Sequence, residues 1–146
     1  MFFERKKYLK ELIAGRGNGL VKIITGVRRC GKSFLLFNIW HNWLLEHGVT
    51  DNHIIEIQLD DFRNRRLRKP DALLDYIDSK VIEDGNPYYI VLDEVQMVED
   101  FVEVILSLTH MRNMDVYVSG SNSRLLSREV TRYASGLLLL MSISMV

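Results

Sequence analysis

A single cysteine, Cys30, stands in a chain of 146 residues, so no internal disulfide can form and the fold cannot lean on one. That fits a reducing compartment, and the cytoplasm is the expected location. Neither sign of charge is in excess, because 19 Lys plus Arg balance 19 Asp plus Glu. A balanced chain exerts no long-range pull on nucleic acid or an anionic membrane, so either partner would have to be met by a local patch. Long apolar runs are missing too. Leu137 to Met141 is the most prominent, far short of the roughly 20 residues that span a bilayer. The opening MFFERKKYLK carries charge from Glu4 onward, so neither a secretory leader nor a membrane association is expected. His41, His47, His53 and His110 show no close pairing with Cys or carboxylates at zinc-ligand spacing. What remains, 47% apolar and 26% charged residues, suits one globular domain with its own core.

Helical and strand patterns alternate along the chain, which predicts an α/β fold around a parallel sheet. Tyr8, Leu9, Leu12 and Ile13 form a narrow apolar stripe at helical spacing, and the Gly15–Gly19 stretch ends that helix. Four short β-rich runs follow: Leu20 to Thr25, His53 to Leu59, Tyr88 to Leu92 and Asp115 to Ser119. Between them, Phe34 to Leu45 is apolar almost all round, as for a buried helix. Pro70 and Asp71 open a helix with the stripe Leu73, Leu74, Ile77 and Val81. Asp100 with Glu103 three residues later predicts a capping box for a helix through Leu108. A last short helix is expected from Arg124 to Tyr133.

The chemistry concentrates in Gly26-Val27-Arg28-Arg29-Cys30-Gly31-Lys32-Ser33, which fits the spacing G-x-x-x-x-G-K-[ST] between a strand and a helix. Glycines let such a loop wrap so that several backbone N–H groups face phosphate oxygens. The helix N-terminus, including Phe34, adds its dipole. Lys32 is placed to reach the β and γ phosphates, and Ser33 to ligate magnesium. Cys30 lies near Lys32 and a helix start, which would lower a thiol pKa, but it also suits a variable loop position.

Asp93 and Glu94 follow the apolar run YYIVL, and the C-terminal ends of parallel strands face the ligand crevice. Asp93 is a candidate magnesium ligand and Glu94 a candidate base that polarises an attacking water. The chain has no N-K-x-D guanine signature, and a small-molecule kinase would not need Glu94; both points favour ATP hydrolysis. The fourth strand ends in Ser119-Gly120-Ser121-Asn122-Ser123. Asn122 or Ser121 could bond the γ-phosphate or the water if that strand lies between the other two; a polar turn capping a helix is the competing reading.

Together GVRRCGKS, IIEIQLDDFRNRRLRKPDALLDYI, YYIVLDEVQMVEDFVEVILSL and DVYVSGSNSRLLS resemble the prokaryotic predicted AAA-like P-loop ATPase family over about residues 5 to 135. The resemblance implies a three-layer sandwich with a mostly parallel sheet of four or five strands, and ATP with magnesium as ligands. Gly26, Gly31, Lys32 and Ser33 correspond to Walker A, Asp93 and Glu94 to Walker B with Gln96 following, and Ser119–Ser123 to the sensor region. It also implies an ATPase domain over 1–136 that is normally followed by a Gly-Arg element, a further strand and a C-terminal domain. Here Gly136 leads into LLLLMSISMV, an atypical apolar tail that suggests truncation; residues 137–146 are expected either to pair beside the phosphate-loop strand or to remain an exposed segment.

Arg63, Arg65, Arg66, Arg68 and Lys69 form a local basic stretch beside Asp60, Asp61 and Asp71. It reads as a solvated loop more readily than as a nucleic-acid contact. Three functions therefore stand: a magnesium-dependent ATP hydrolase acting on a protein partner or homo-oligomer, a nucleotide-holding remnant or switch without useful turnover, and a DNA-associated module.

Overall fold

Strands with no polar face need cover on both sides, and the computed structural model gives them that cover. The structure describes residues 2–26, 31–122, 126 and 140–145. In chain order these residues form α1 (Phe2–Gly15), β1 (Val21–Thr25), α2 (Lys32–Phe34), α3 (His41–Glu46), β2 (Ile54–Gln58), α4 (Pro70–Lys80), β3 (Tyr88–Asp93), α5 (Phe101–Thr109), β4 (Met114–Gly120) and β5 (Leu140–Ser144). Leu35–Trp40 joins α2 to α3 in wider, π-type turns, so the helix after β1 is continuous from Lys32 to Glu46. Tight 3-10 turns occupy Asp51–His53, Phe62–Arg68 and Val95–Met97.

The five strands form one parallel sheet in the order β2-β3-β4-β1-β5. Alternation of side chains sorts the core into two halves. Ile23, Tyr88, Ile90, Leu92, Val116 and Val118 face α4 and α5, where they meet Leu73, Ile77, Val104, Ile105 and Leu108. Ile24, Tyr89, Val91, Tyr117 and Ile143 face α1 and the helix after β1, where they meet Tyr8, Leu12, Leu35, Leu36, Trp40 and Leu44. The α/β three-layer architecture is therefore the one the sequence implies. Residues 140–144 take the paired course, with Val21 opposite Leu140 and Thr25 opposite Ser144. This moves the open edge of the sheet from β1 to β5.

Two local expectations are corrected. The helix after β1, apolar almost all round, is not buried all round: Leu35, Leu36, Trp40 and Leu44 are buried, whereas Phe34 is 45% exposed and Leu45 40% exposed. The helix covers one face of a sheet, so only one of its faces can be buried. The capping box at Asp100 does not form. Asp100 has φ 50° and ψ 41° and makes no side-chain cap bond, whereas a capping side chain needs extended backbone at that residue. The turn before α5 is tied instead by the Glu99 N–H donating to the Arg68 carbonyl at 2.9 Å. The helix expected over 124–133 lies outside the described residues, apart from Leu126, which is buried and helical.

The N-terminal end of the sheet is held by charge. Lys22 is completely buried, and its ammonium donates to Asp115 Oδ1 at 2.5 Å, to Leu20 O at 2.8 Å and to Asn18 Oδ1 at 3.1 Å. Asp115 Oδ2 accepts from Tyr117 Oη at 2.7 Å and from the Gly17 N–H at 3.0 Å. Burial first, then the Asp115 carboxylate, push the Tyr117 hydroxyl pKa up, so it stays a donor. All three Lys22 protons are used, which is the condition for keeping an ammonium out of water. Asp115→Ala would leave that charge buried without its counter-ion. We predict a loss of about 3–5 kcal/mol in urea unfolding; a loss below about 1 kcal/mol would show that the pair is not what holds this end.

Candidate functional site

At the other end of the sheet, β4 lies between β1 and β3, so the C-terminal ends of all three are neighbours. Helices on opposite faces follow β1 and β3, so this is the switch point where ligands bind in doubly wound sheets. Alternation places Asp93 on the same face as Tyr89 and Val91, the face covered by the helix that starts at Lys32. Asp93 therefore meets the phosphate-loop residues although they are 60 positions away. The Ser33 hydroxyl donates to Asp93 Oδ2 at 2.6 Å. Lys32 Nζ pairs with Glu94 Oε2 at 2.9 Å, both side chains being about nineteen-twentieths buried, at 4% and 6% exposure.

Gly31 begins this helix with φ 93°, a conformation natural only to glycine. Gly31 has no side chain with which to cap the first N–H groups of the helix. Gly26 is half-buried at the end of β1. Val27, Arg28, Arg29 and Cys30 lie outside the described residues. Phe34 is exposed and carries the Arg5 guanidinium 4.7 Å from its ring centre.

Glu94 sits at φ 54°, ψ 50°, a left-handed conformation that costs a non-glycine residue about 1–3 kcal/mol and persists only when neighbours enforce it. Here they do. Its Oε1 accepts from Gln96 Nε2 at 2.7 Å, from Ser121 Oγ at 2.8 Å and from the Ser121 N–H at 3.0 Å. Burial alone would raise its pKa. The bonds from Gln96, Lys32 and Ser121 outweigh burial and hold the carboxyl at about 2.

Ser119 fastens Asp93 in the same way. Its hydroxyl donates to Asp93 Oδ1 and accepts the Glu94 N–H at 3.3 Å. Gly120, between the two serines, has no room for a side chain: a Cβ there would clash with Leu126 and lie 2.7 Å from Gln96 Oε1. Of the two candidates at the end of β4, Ser121 is joined to Glu94. Asn122 is exposed, and its carbonyl accepts the Leu126 N–H at 3.1 Å. Ser119 and Gln96 were not singled out by residue chemistry. The signal for Ser119 exists only once β4 is paired with β3, one step past the Leu92–Val118 pair.

The donor set suits magnesium. A hydroxyl and a carboxylate oxygen, Ser33 Oγ and Asp93 Oδ2, face each other, and oxygen ligands are what a hard cation takes. Among the described residues no three His, Cys, Asp or Glu side chains group as a metal site, so a resident protein-only cage is not formed there.

A parallel α/β sheet, a strand–loop–helix with Gly-Lys-Ser at the helix start, and an Asp-Glu pair at the end of the next strand but one together define a nucleotide-binding P-loop domain. The sequence profile of the AAA domain family matches residues 18–145, and the chain belongs to that family. An uncharacterized protein of Haemophilus influenzae is 30% identical over 132 residues, covering 90% of this chain. One of Methanocaldococcus jannaschii is 28% identical over 120 residues, covering 80%. The chain spans 33% of the first relative and 24% of the second.

Solved structures share the fold at low identity. The Aeropyrum pernix ORC1 protein in complex with DNA superposes with a TM-score of 0.63 at 13% identity, over 97% of this chain and 45% of that one. The values for C. elegans PCH-2 are 0.62 and 12%, over 97% and 42%. A chain of Drosophila ORC bound to DNA gives 0.58 and 15%, over 98% and 91%.

The depressed pKa of Glu94 has a consequence for stability. A carboxyl whose folded pKa lies below its ordinary value stabilises the fold above about that ordinary value and loses the contribution as pH falls toward the folded one. For Glu94 that window runs from 4.5 down to about 2. Denaturant unfolding through this window should show stability falling more steeply for the parent than for Glu94→Gln. Parallel curves would mean that the carboxylate is not held as described.

Proposed function

We propose that this domain binds ATP with magnesium and hydrolyses it. The observation that carries the reading is the convergence of Lys32 and Ser33 with Asp93 and Glu94, two segments 60 residues apart brought within hydrogen-bond distance at a helix start. Gly31, Lys32, Ser33 and Phe34 would present backbone N–H groups to the phosphates, with Gly26 through Cys30 completing the loop. Lys32 supplies the mobile cation at the β and γ phosphates. Ser33 and Asp93 would hold the magnesium, which neutralises developing charge on the transferred phosphoryl group. Ser119 keeps Asp93 oriented for that role.

Glu94 would take a proton from the attacking water; the bonds from Ser121 and Gln96, which fix its carboxylate, support that role. Asn122, next along the chain, remains a proposed contact to the γ-phosphate or the water. We place the activity in the cytoplasm, with a protein partner or further copies of the chain as the object of the cycle.

One observation favours a second reading, nucleotide binding without useful turnover. With a pKa of about 2 and four donors, Glu94 in this state is a poor base. A DNA-associated role draws on the similar ORC structures, which are DNA complexes. It finds weak support in the basic stretch. Arg63 is paired with Asp61 at 3.1 Å, Lys69 with Glu99 at 2.7 Å, and Arg68 donates to Leu59 O at 2.8 Å.

Two variants test the main reading. Lys32→Ala should weaken magnesium-ATP binding by about tenfold or more, since it removes a charge-assisted bond to phosphate. Glu94→Gln should retain binding and lose about 10²–10⁴ in turnover. Unchanged affinity in the first variant, measured with a fluorescent ATP analogue, would refute the phosphate site; unchanged turnover in the second would remove Glu94 as the base.

A further inference from the structure

We propose that the turn Phe62–Arg68 is a docking surface for a protein segment that carries acidic side chains beside one large apolar side chain. The inference is independent of the nucleotide reading and gives a role to the basic stretch that the candidate site leaves unused.

Phe62 is 69% exposed, the most exposed of the large apolar side chains described. On a loose loop such a ring could fold back onto the surface. This turn is not loose. The Asp61 carboxylate accepts the Arg63 N–H at 2.9 Å and so caps its start. Asn64 Nδ2 donates to Gln58 O at 2.9 Å, and Arg68 Nε donates to Leu59 O at 2.8 Å. Leu67 is buried in the core, and the Arg68 carbonyl accepts the Glu99 N–H at 2.9 Å. The end of β2, the turn before α5 and the core all hold the segment, and they hold it with Phe62 outward. An aromatic side chain on a rigid support gives up little freedom on binding, and aromatic residues with Arg dominate the energetics of interfaces.

The charges of the turn sort into used and unused. Arg63 is paired with Asp61 at 3.1 Å, and Lys69 with Glu99 at 2.7 Å. Arg68 is taken up by the Leu59 carbonyl. Arg65 holds its guanidinium 4.3 Å from the centre of the Phe62 ring and donates to the Phe62 carbonyl at 3.1 Å. Neither Arg65 nor Arg66 has an ion-pair partner among the described residues, and both are exposed. Two guanidinium groups without a counter-ion therefore share this turn with one exposed ring.

That set selects the partner. A nucleic acid strand gains its affinity from many phosphate contacts and from successive stacked bases. Here two cations are unused, one ring is offered, and Asp60, Asp61 and Glu99 stand among them. A protein segment needs less: an apolar side chain against the ring, and carboxylates for Arg65 and Arg66, which guanidinium groups bind through paired hydrogen bonds. The Leu59 N–H donates to the Asp93 carbonyl at 3.1 Å, so a segment seated on this turn would lie one strand away from the candidate site.

Selection from a random peptide library displayed on phage tests the proposal. The baits are the parent chain and the double variant Phe62→Ser/Arg66→Glu, at near-physiological salt. Both substituted side chains are exposed, so the two baits should unfold at the same temperature; if the double variant unfolds early, Arg66→Glu alone replaces it. We expect the parent to enrich peptides that place Asp or Glu beside Phe, Leu, Ile or Trp, and the variant not to. A selected peptide carrying a fluorophore should bind Phe62→Ser and Arg66→Glu each about tenfold or more weakly than the parent. No enrichment over the variant would overturn the proposal, and so would enriched peptides that lack acids or lack a large apolar residue. A labelled single-stranded oligonucleotide should not distinguish the two baits. Binding by the parent that the variant loses would assign the surface to nucleic acid and overturn the proposal.

Discussion

Everything at the candidate site depends on β4 lying between β1 and β3. The sheet order β2-β3-β4-β1-β5 brings a strand end that is late in the sequence between two that are early. From there Ser119 reaches Asp93, and Ser121 reaches Glu94. Without β4 in that position, Asp93 would lose the bond from Ser119 and Glu94 those from Ser121. The serines are close enough because Gly120 between them leaves no side chain against Leu126 and Gln96. The same strand anchors the opposite end of the sheet, where Asp115 neutralises Lys22. β4 is thus held by buried charge at its start and holds buried charge at its finish.

These two charged ends differ in kind. At Lys22 every proton has a local acceptor, and Asp115 is itself satisfied by Tyr117 and Gly17. Nothing there has a reason to exchange partners, and the cluster reads as structural. At the candidate site, Lys32 is held by a carboxylate on another segment, at a helix start next to a glycine in a left-handed conformation. Ser33 is likewise bonded to an acid that a hard cation could share. The first arrangement uses charge to fix the fold. The second gathers charge from two segments at a helix start, and the proposed phosphate site rests on that gathering.

The strands, their order of appearance and the phosphate loop were legible because each rests on local rules. Apolar runs of five residues between turn signals, and Gly-Lys-Ser before a helix, need no knowledge of tertiary contacts. Asp93 and Glu94 could be found by the same means, as acids at the end of an apolar strand. What holds them could not. Ser119 and Gln96 gain their roles from strand pairing and from a left-handed turn at Glu94, and residue spacing encodes neither one. Asp100 failed as a cap because its backbone is left-handed, in a turn whose Glu99 N–H is bonded to the distant Arg68 carbonyl, and residue spacing encodes neither fact. The tail shows the same limit. An apolar run after Gly136 is compatible with a strand or with an exposed segment, and pairing with β1 decides between them.

The most direct test of the account is to locate nucleotide on the chain. Amide chemical shifts recorded while magnesium-ATP is added should change most at Gly31–Phe34, at Asp93–Gln96 and at Ser119–Asn122, the three segments that converge on the candidate site. The Lys22–Asp115 end of the sheet should remain unchanged. Shifts centred away from these segments, or none at millimolar nucleotide, would contradict the assignment of this cluster as a phosphate site.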